Sequence, residues 1–371
     1  MVQVSFQNRL VLLSKLWATL EKNSIMKRRQ FNKLGAAGLA GSALLPYLSE
    51  DQPMLKPKAL PLKKGSRVGL IAPAFRVTEE MLETAKSNMV SLGFEPFHSS
   101  RVLERFGAFG GTDEHRLAEL HQMFADESVD AIWTVNGGYG VTRLLDKIDF
   151  GLIKKNPKPI IGFSDITALL NAINQNTGLP CFHAPTAAFD IGIEYTRKHL
   201  VPLFGIKEPY VVSLCDEHIE KAKNDDLYEY KVIKPGRAKA PLIGGNLSLI
   251  AATMGTPFQF NARNKLLFLE DVSEAPYRID RMLTQMKSAG FFKGVKGIII
   301  GVCWGCKNPA GDTLSFDLYT VLKDRLADLN IPIVTGFSFG HTKETCTFPL
   351  GAEAELDTEA ATVTLFEDGY G

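Results

Sequence analysis

The sequence predicts an α/β protein with two domains, and three observations lead to this prediction. From Ser66 onward, short apolar runs alternate with segments of helical spacing, which is typical of a parallel sheet with crossover helices. The segment from Ala352 to Phe366 alternates instead as two antiparallel strands around a turn, so the later part of the chain is mixed. The length of 371 residues favours two domains over one.

The composition argues against some classes of protein. The chain has 42 Lys and Arg residues and 41 Asp and Glu residues, a net charge of +1, so no basic excess indicates a nucleic-acid partner. Five cysteines are an odd number and too few for a disulfide scaffold.

Residues 1–50 are predicted to lie outside the fold. The pair Arg28-Arg29 stands in a basic stretch that begins at Met26, an alternative start, and small, mildly apolar residues follow at 34–45. This layout is typical of a twin-arginine export signal, which would place the protein in the periplasm; it would be cytoplasmic if the signal were not used. The apolar run is too short to span a membrane, and a basic amphipathic surface helix is the alternative. The Pro- and Lys-rich segment 51–65 is predicted to be a linker.

The predicted N-terminal domain covers residues 66–190 and alternates strands with helices. Its predicted strands are 68–72, 94–97, 131–135 and 160–161, and its predicted helices are 78–92, 112–125, 141–148 and 166–173. Ligands collect at the carboxyl ends of the strands in such a sheet.

The predicted C-terminal domain covers residues 237–371, after an inter-domain connection at 191–236 where charges and prolines weaken the pattern. Its predicted strands are 265–269, 297–301 and 331–334, its predicted helices are 247–254, 277–288 and 316–329, and the loop after its third strand is predicted to run from 336 to 342.

Ser164 lies where a predicted strand passes into a predicted helix. A hydroxyl at a helix N-terminus faces unpaired backbone N–H groups and the positive end of the helix dipole. There it could attack a carbonyl group while neighbouring N–H groups stabilise the oxyanion. Ser164-Asp165-Ile166-Thr167 is equally the pattern of an ordinary helix N-cap, so both interpretations stay open at this point.

Gly137-Gly138-Tyr139-Gly140 follows another predicted strand and could bring backbone N–H groups close to a ligand. The spacing matches neither a P-loop nor a dinucleotide fingerprint, and a tight turn is the alternative.

A serine nucleophile needs a base, and Glu270 and His341 follow predicted strands of the second domain. His183 is the rival imidazole, and the other histidines, His98, His115, His121, His199 and His218, are predicted to be surface groups.

Cys303-Trp304-Gly305-Cys306 has the spacing of a redox dithiol. Because it lacks a thioredoxin-like context and a second cysteine pair, we predict neither redox chemistry nor a zinc site.

These motifs together resemble the LD-carboxypeptidases of the serine peptidases, which include the murein tetrapeptide carboxypeptidases and the microcin C self-immunity peptidases. The resemblance covers the chain from about Ser66 to the C-terminus. It is carried by Leu70-Ile71-Ala72-Pro73, Gly137-Gly138-Tyr139-Gly140, Ile161-Gly162-Phe163-Ser164-Asp165, Gly244-Gly245-Asn246-Leu247, Leu269-Glu270-Asp271 with Glu274, Pro276-Tyr277-Arg278-Ile279-Asp280-Arg281, and Gly336-Phe337-Ser338-Phe339-Gly340-His341. Asn136 departs from the pattern, because arginine usually precedes the glycines in this family.

The resemblance implies a flavodoxin-like N-terminal domain, a smaller mixed α/β C-terminal domain and commonly a homodimer. It implies a triad of Ser164 as nucleophile, His341 as general base and Glu270 as the group that orients it, without a metal or other cofactor. The resemblance also implies oxyanion and substrate-binding positions at Gly137, Gly138, Asp165 and Asn246, with the N–H groups of Gly138 and Asp165 forming the oxyanion hole.

The implied reaction is hydrolysis of the L,D-amide that releases D-alanine from a murein tetrapeptide, a peptide derived from peptidoglycan. Two alternatives are a microcin-type immunity peptidase that cleaves peptidyl-nucleotides and a non-catalytic α/β binding protein in which Ser164 only caps a helix.

Overall fold

The computed structural model describes residues 59–312 and 314–370. The predicted twin-arginine segment and most of the predicted linker lie outside these residues. Within them, no helix combines the length and the apolar character that a membrane span requires.

Two sheets contain all fourteen strands of the described residues. In chain order these strands are β1 Arg67–Ile71, β2 Glu95–Phe97, β3 Ala131–Thr134, β4 Ile160–Gly162, β5 Cys181–His183, β6 Tyr210–Ser213, β7 Lys231–Lys234, β8 Arg237–Asn246, β9 Leu266–Glu270, β10 Gly297–Val302, β11 Ile333–Gly340, β12 Phe348–Pro349, β13 Glu353–Asp357 and β14 Thr362–Leu365.

Nine α-helices connect and cover the strands in the same part of the chain. They are α1 Glu79–Ser91, α2 Asp113–Ala125, α3 Phe150–Lys155, α4 Thr167–Thr177, α5 Glu194–Lys198, α6 Asp216–Lys221, α7 Leu247–Thr253, α8 Pro276–Ser288 and α9 Leu318–Leu326.

The first sheet has the order β12-β5-β4-β3-β1-β2, and β1 to β5 run parallel, as the alternating pattern predicts. Its strands are fully buried on both faces at β3 and β4, which is the pattern expected where helices cover both sides of a sheet. The strand β12, from near the C-terminus, adds to its edge in antiparallel orientation. The carboxyl end of β4 therefore lies in the interior of the sheet, between the ends of β3 and β5.

The second sheet has the order β6-β14-β13-β8-β9-β10-β11-β7, with β8 to β11 parallel and the flanking strands antiparallel. It has eight strands against six in the first sheet. Two of them, β6 and β7, come from the segment 191–236, so both strands of the predicted connection belong to this sheet.

The structure corrects the predicted loop at 336–342, because β11 continues to Gly340. Gly336 and Gly340 interrupt the sequence pattern but not the strand. Both have positive φ angles, 73° and 119°, and a Cβ atom on Gly340 would lie 2.7 Å from the carbonyl oxygen of Val302 on β10. The pairing of β10 with β11 shifts register on both sides of Gly301, so the two strands remain paired around these irregular positions.

Candidate active site

Ser164 occupies a sharp turn between β4 and α4. It begins a 3-10 helix, Ser164–Ile166, and its φ of 62° lies in the left-handed region that side chains seldom adopt. Such strain costs about 1–3 kcal/mol and persists only where the surrounding structure imposes it. The side chain does not cap the helix, because neither the 3-10 helix nor α4 has a side-chain cap bond. The N-cap interpretation of Ser164 is therefore wrong.

His341 connects Ser164 to Glu270. Its Nε2 lies 2.9 Å from Oγ of Ser164, and its Nδ1 lies 2.6 Å from Oε2 of Glu270. The strand β9 ends at Glu270, and β11 ends one residue before His341, so two strand ends of the second sheet present these side chains to the turn that holds Ser164. The structure thus brings together the serine, the imidazole and the carboxylate that the sequence predicts as a set.

Glu274, four residues after Glu270, takes no part in this chain of hydrogen bonds. Its carboxylate pairs with Arg278 at 3.5 Å, and its backbone N–H donates to Sγ of Cys306. The carboxylate that faces the imidazole is that of Glu270.

The pKa values of His341 and Glu270 shift in opposite directions. Burial alone would lower the pKa of His341, but the charge and hydrogen bond of Glu270 outweigh it, so the pKa lies above its ordinary value of 6.5. Burial alone would raise the pKa of the fully buried Glu270, yet the charge and hydrogen bond of His341 bring it below its ordinary value. Glu270 is therefore held as a carboxylate, which can stabilise an imidazolium on His341.

The loop Gly137–Gly140 lies against Ser164. A Cβ atom on Gly137 would approach Cβ of Ser164 to 2.8 Å, so only glycine fits this position. Gly138 has a φ of 118°, and a Cβ atom there would lie 2.3 Å from the ring of Phe75. Gly138 is exposed, and its N–H donates none of the hydrogen bonds among the described residues, so it can receive an oxyanion.

Two buried side chains fix the far end of this loop. Asp165 accepts a hydrogen bond from the N–H of Val141 at 2.8 Å through Oδ2. Arg116, 1% exposed, donates to the carbonyl oxygens of Pro73 and Gly140 and pairs with Asp113 at 2.6 Å. No sequence pattern singles out Arg116, because an arginine within an amphipathic helix normally faces solvent.

Asn246 is the register partner of Glu270 on the neighbouring strand. Its Oδ1 caps α7 through the N–H of Leu249, and its Nδ2 donates to Asp271 at 3.2 Å. The neighbouring Asp271 belongs to a motif of the sequence but was assigned no role there. Its carboxylate accepts from both the N–H and the hydroxyl of Ser248, and its pKa is raised to about 6 by burial and then by the charge of Glu270. The predicted role of Asn246 in substrate binding stays a prediction.

The remaining predicted residues lie near the site or outside it. Asn136 donates through Nδ2 to the carbonyl oxygen of Arg76 at 3.1 Å. His183, the rival imidazole, is buried beside the triad and makes no hydrogen bond to Ser164. The prediction that His199 and His218 are surface groups is wrong, because each is 1% exposed; His199 bonds Tyr210, and His218 faces Glu344 at 3.2 Å.

Cys303 and Cys306 are both buried free thiols. The tight turn that they bound is attached to the loop after Glu270, since the N–H of Ser273 donates to the carbonyl oxygen of Trp304 at 2.8 Å. Within the described residues, no group of three or more His, Cys, Asp or Glu side chains is arranged to hold a metal ion.

Two family models match the two halves of the chain. Residues 68–184 match the LD-carboxypeptidase N-terminal domain of peptidase family S66, and residues 239–356 match its C-terminal domain.

Similar proteins carry related names. A probable murein peptide carboxypeptidase of Bacillus subtilis is 38% identical over 310 residues, 84% of this chain and 94% of the relative. A murein tetrapeptide carboxypeptidase of Pseudomonas aeruginosa is 32% identical over 78% of this chain and 93% of the relative. Among solved structures, an MccF-like protein of Bacillus anthracis is 30% identical, with a TM-score of 0.70 over 83% of this chain and 99% of that chain.

Proposed function

This chain belongs to the LD-carboxypeptidase family of serine-type peptidases, and from that premise we propose that it releases the terminal D-alanine from murein tetrapeptides. The observation that carries this proposal is the unbroken line of hydrogen bonds from Ser164 through His341 to Glu270. The names of the Bacillus subtilis and Pseudomonas aeruginosa relatives support a murein peptide as the substrate.

The acylation step uses all three side chains. Nε2 of His341 removes the proton from Oγ of Ser164 as that oxygen attacks the carbonyl carbon before the terminal D-residue. The N–H groups of Gly138 and Asp165 stabilise the oxyanion, and Glu270 stabilises the imidazolium. His341 then gives its proton to the departing amine, and D-alanine leaves.

The acyl-enzyme that remains is an ester of Ser164. A water molecule enters where the amine departed, and His341 takes one of its protons as the water oxygen attacks the ester carbon. The second tetrahedral intermediate then breaks its bond to Oγ, His341 returns the proton to Oγ, and the shortened peptide leaves free Ser164.

Mass spectrometry of products from a purified murein tetrapeptide tests the proposal. We expect the tripeptide and free D-alanine with the wild-type protein and neither product with Ser164→Ala. An intact tetrapeptide after prolonged incubation with folded wild-type protein would contradict the proposed substrate.

The similarity to the MccF-like protein of Bacillus anthracis favours a second candidate, cleavage of a peptidyl-nucleotide by the same chemistry. Parallel assays with a peptidyl-nucleotide and the tetrapeptide separate the two. If the protein cleaves neither compound and a serine-reactive phosphonate leaves Ser164 unmodified, a non-catalytic binding protein becomes the better interpretation.

We also propose export by the twin-arginine route to the periplasm, where peptidoglycan fragments are present, and assembly as a homodimer. Cell fractionation with Arg28→Lys/Arg29→Lys as the control tests export, since the double variant should stay in the cytoplasm. Light scattering of the purified protein tests the dimer, and a monomeric mass at micromolar concentration would contradict it.

A further inference from the structure

His183 lies directly behind the three residues of the proposed triad. It is the register partner of Gly162, two residues before Ser164, and it is 1% exposed. Its ring contacts three phenylalanines at centroid distances of 5.3 to 6.3 Å, namely Phe163, Phe268 and Phe339. These precede Ser164 by one residue and Glu270 and His341 by two residues each, so His183 touches all three chain segments that present the triad.

Three buried polar atoms in this region have no hydrogen-bond partner among the described residues. Neither ring nitrogen of His183 has a hydrogen-bond partner among the described residues, and neither has Oε1 of Glu270. Buried polar atoms in folded proteins are almost always hydrogen-bonded, to protein or to ordered water. A neutral imidazole offers one N–H donor and a carboxylate oxygen is an acceptor, so these two groups are chemically complementary.

The surroundings keep His183 neutral. Burial lowers its pKa to about 4, against an opposing effect of Glu270. The titratable groups that act on it are Glu270, at the end of β9, and His341, directly after β11. The residue after β4 and the strand β12 present Phe163 and Phe348 instead. A neutral donor beside Glu270 can hydrogen-bond the carboxylate without adding a positive charge that would compete with protonated His341.

We propose that His183 is a positioning residue, which holds one bound water molecule against Oε1 of Glu270 and so keeps Oε2 directed at His341. The water accepts the N–H of His183 and donates to Oε1, because no direct hydrogen bond joins the two groups among the described residues. This inference rests on the proposed triad, and it adds a fourth side chain to the serine, the imidazole and the carboxylate.

With this donor in place, the proposed general base His341 is less basic than it would be without it. The hydrogen bond of Asn246 also lowers the pKa of Glu270, and the charge of Asp271 also raises the pKa of His341, but both remain when His183 is replaced. Without the donor that His183 orients, Oε1 loses its proposed partner, the carboxylate becomes more basic, and it draws the Nδ1 proton of His341 more strongly. Nε2 of His341 then becomes more basic too, so the imidazole stays protonated to a higher pH. Removing His183 should therefore move the acidic limb of the pH profile upward.

His183→Phe removes the donor and keeps a ring among the three phenylalanines, and His183→Gln keeps an N–H donor. We expect His183→Phe to raise the acidic limb of kcat/KM by about half a pH unit or more and to lower kcat/KM at neutral pH by roughly tenfold. His183→Gln should restore most of both. His199→Phe is the matched control, because His199 is also buried but pairs with Tyr210, and it should leave the limb in place.

A high-resolution crystal structure provides a readout that does not depend on activity. It should show a water within hydrogen-bond distance of His183 and Oε1 of Glu270, and His183→Phe should lose it. An empty gap at that place, or an acidic limb that His183→Phe leaves unmoved while the protein stays folded, would overturn the inference. If the wild-type protein cleaves no tetrapeptide, the proposed function fails, whereas the water still decides the role of His183.

Discussion

The two sides of the site use different means to place reactive atoms. On the nucleophile edge (Gly137, Gly138, Ser164 and Asp165) an unusual backbone conformation places the reactive atoms, with φ angles of 118° at Gly138 and 62° at Ser164. On the base edge (Glu270, Asp271 and His341) burial holds the side chains in place, since Glu270 is 0% exposed and Asp271 is 2% exposed. The nucleophile edge should therefore be sensitive to added atoms, and the base edge to altered charge.

The largest effect should come from Ser164→Ala, which removes the proposed nucleophile and keeps the turn. We expect kcat to fall by roughly 10⁴–10⁶ while the melting temperature barely changes, because the strained φ is the same for serine and alanine. Tetrapeptide turnover and calorimetry measure the two quantities. Near-normal turnover by this variant would refute the role of Ser164.

The next effect tests charge on the base edge. Glu270→Gln keeps the shape but replaces the anion that stabilises the imidazolium, so we expect kcat/KM to fall by roughly 10³–10⁴. Glu274→Gln is the matched control, because that carboxylate pairs with the half-exposed Arg278, and it should change kcat/KM by less than about threefold. Equal losses in both variants would mean that Glu270 has no special role.

A smaller effect tests added atoms on the nucleophile edge. Gly138→Ala requires a Cβ atom where the Phe75 ring lies, so the loop must move and the proposed oxyanion donor with it. We expect a loss of about 10²–10³ in kcat, the scale for one oxyanion donor. Gly107→Ala is the control for positive φ alone, since Gly107 has a φ of 62° and open space around it, and it should reduce stability without this loss.

The smallest expected effect that distinguishes the two edges is a shift in the pH profile of kcat/KM. Since Glu270 raises the pKa of His341, the imidazole is protonated and inactive as a base below a midpoint that lies above 6.5. The wild-type kcat/KM should fall as the pH drops through that midpoint. In Glu270→Gln the anion is gone and burial dominates, so the limb should move to lower pH, whereas Gly138→Ala should leave it unchanged. If the acidic limb of kcat/KM stayed in place in Glu270→Gln, the proposed effect of Glu270 on the pKa of His341 would be contradicted.

The sequence was sufficient for the family and for the α/β class, because strands and helices follow from the local spacing of apolar side chains. The Ser164 and Glu270 segments were assigned correctly to strand ends for that reason. The loop predicted after Val334 was wrong, since β11 stays paired with β10 as far as Gly340 despite the glycines at 336 and 340.

Local patterns could not assign burial to particular polar side chains. His199, His218 and Arg116 stand among polar neighbours in the chain, yet each is buried because another segment closes over it: Tyr210, Glu344 and the Pro73 and Gly140 carbonyl groups respectively.

The sequence by itself determined which residues could react: a serine after a strand, an imidazole and a carboxylate at later strand ends, and a pair of glycines. Only the tertiary structure decided that they meet, because 177 residues separate Ser164 from His341 and 71 separate His341 from Glu270. Distances of 2.9 and 2.6 Å between such remote groups are set by the packing of two sheets, a property that no short stretch of sequence contains.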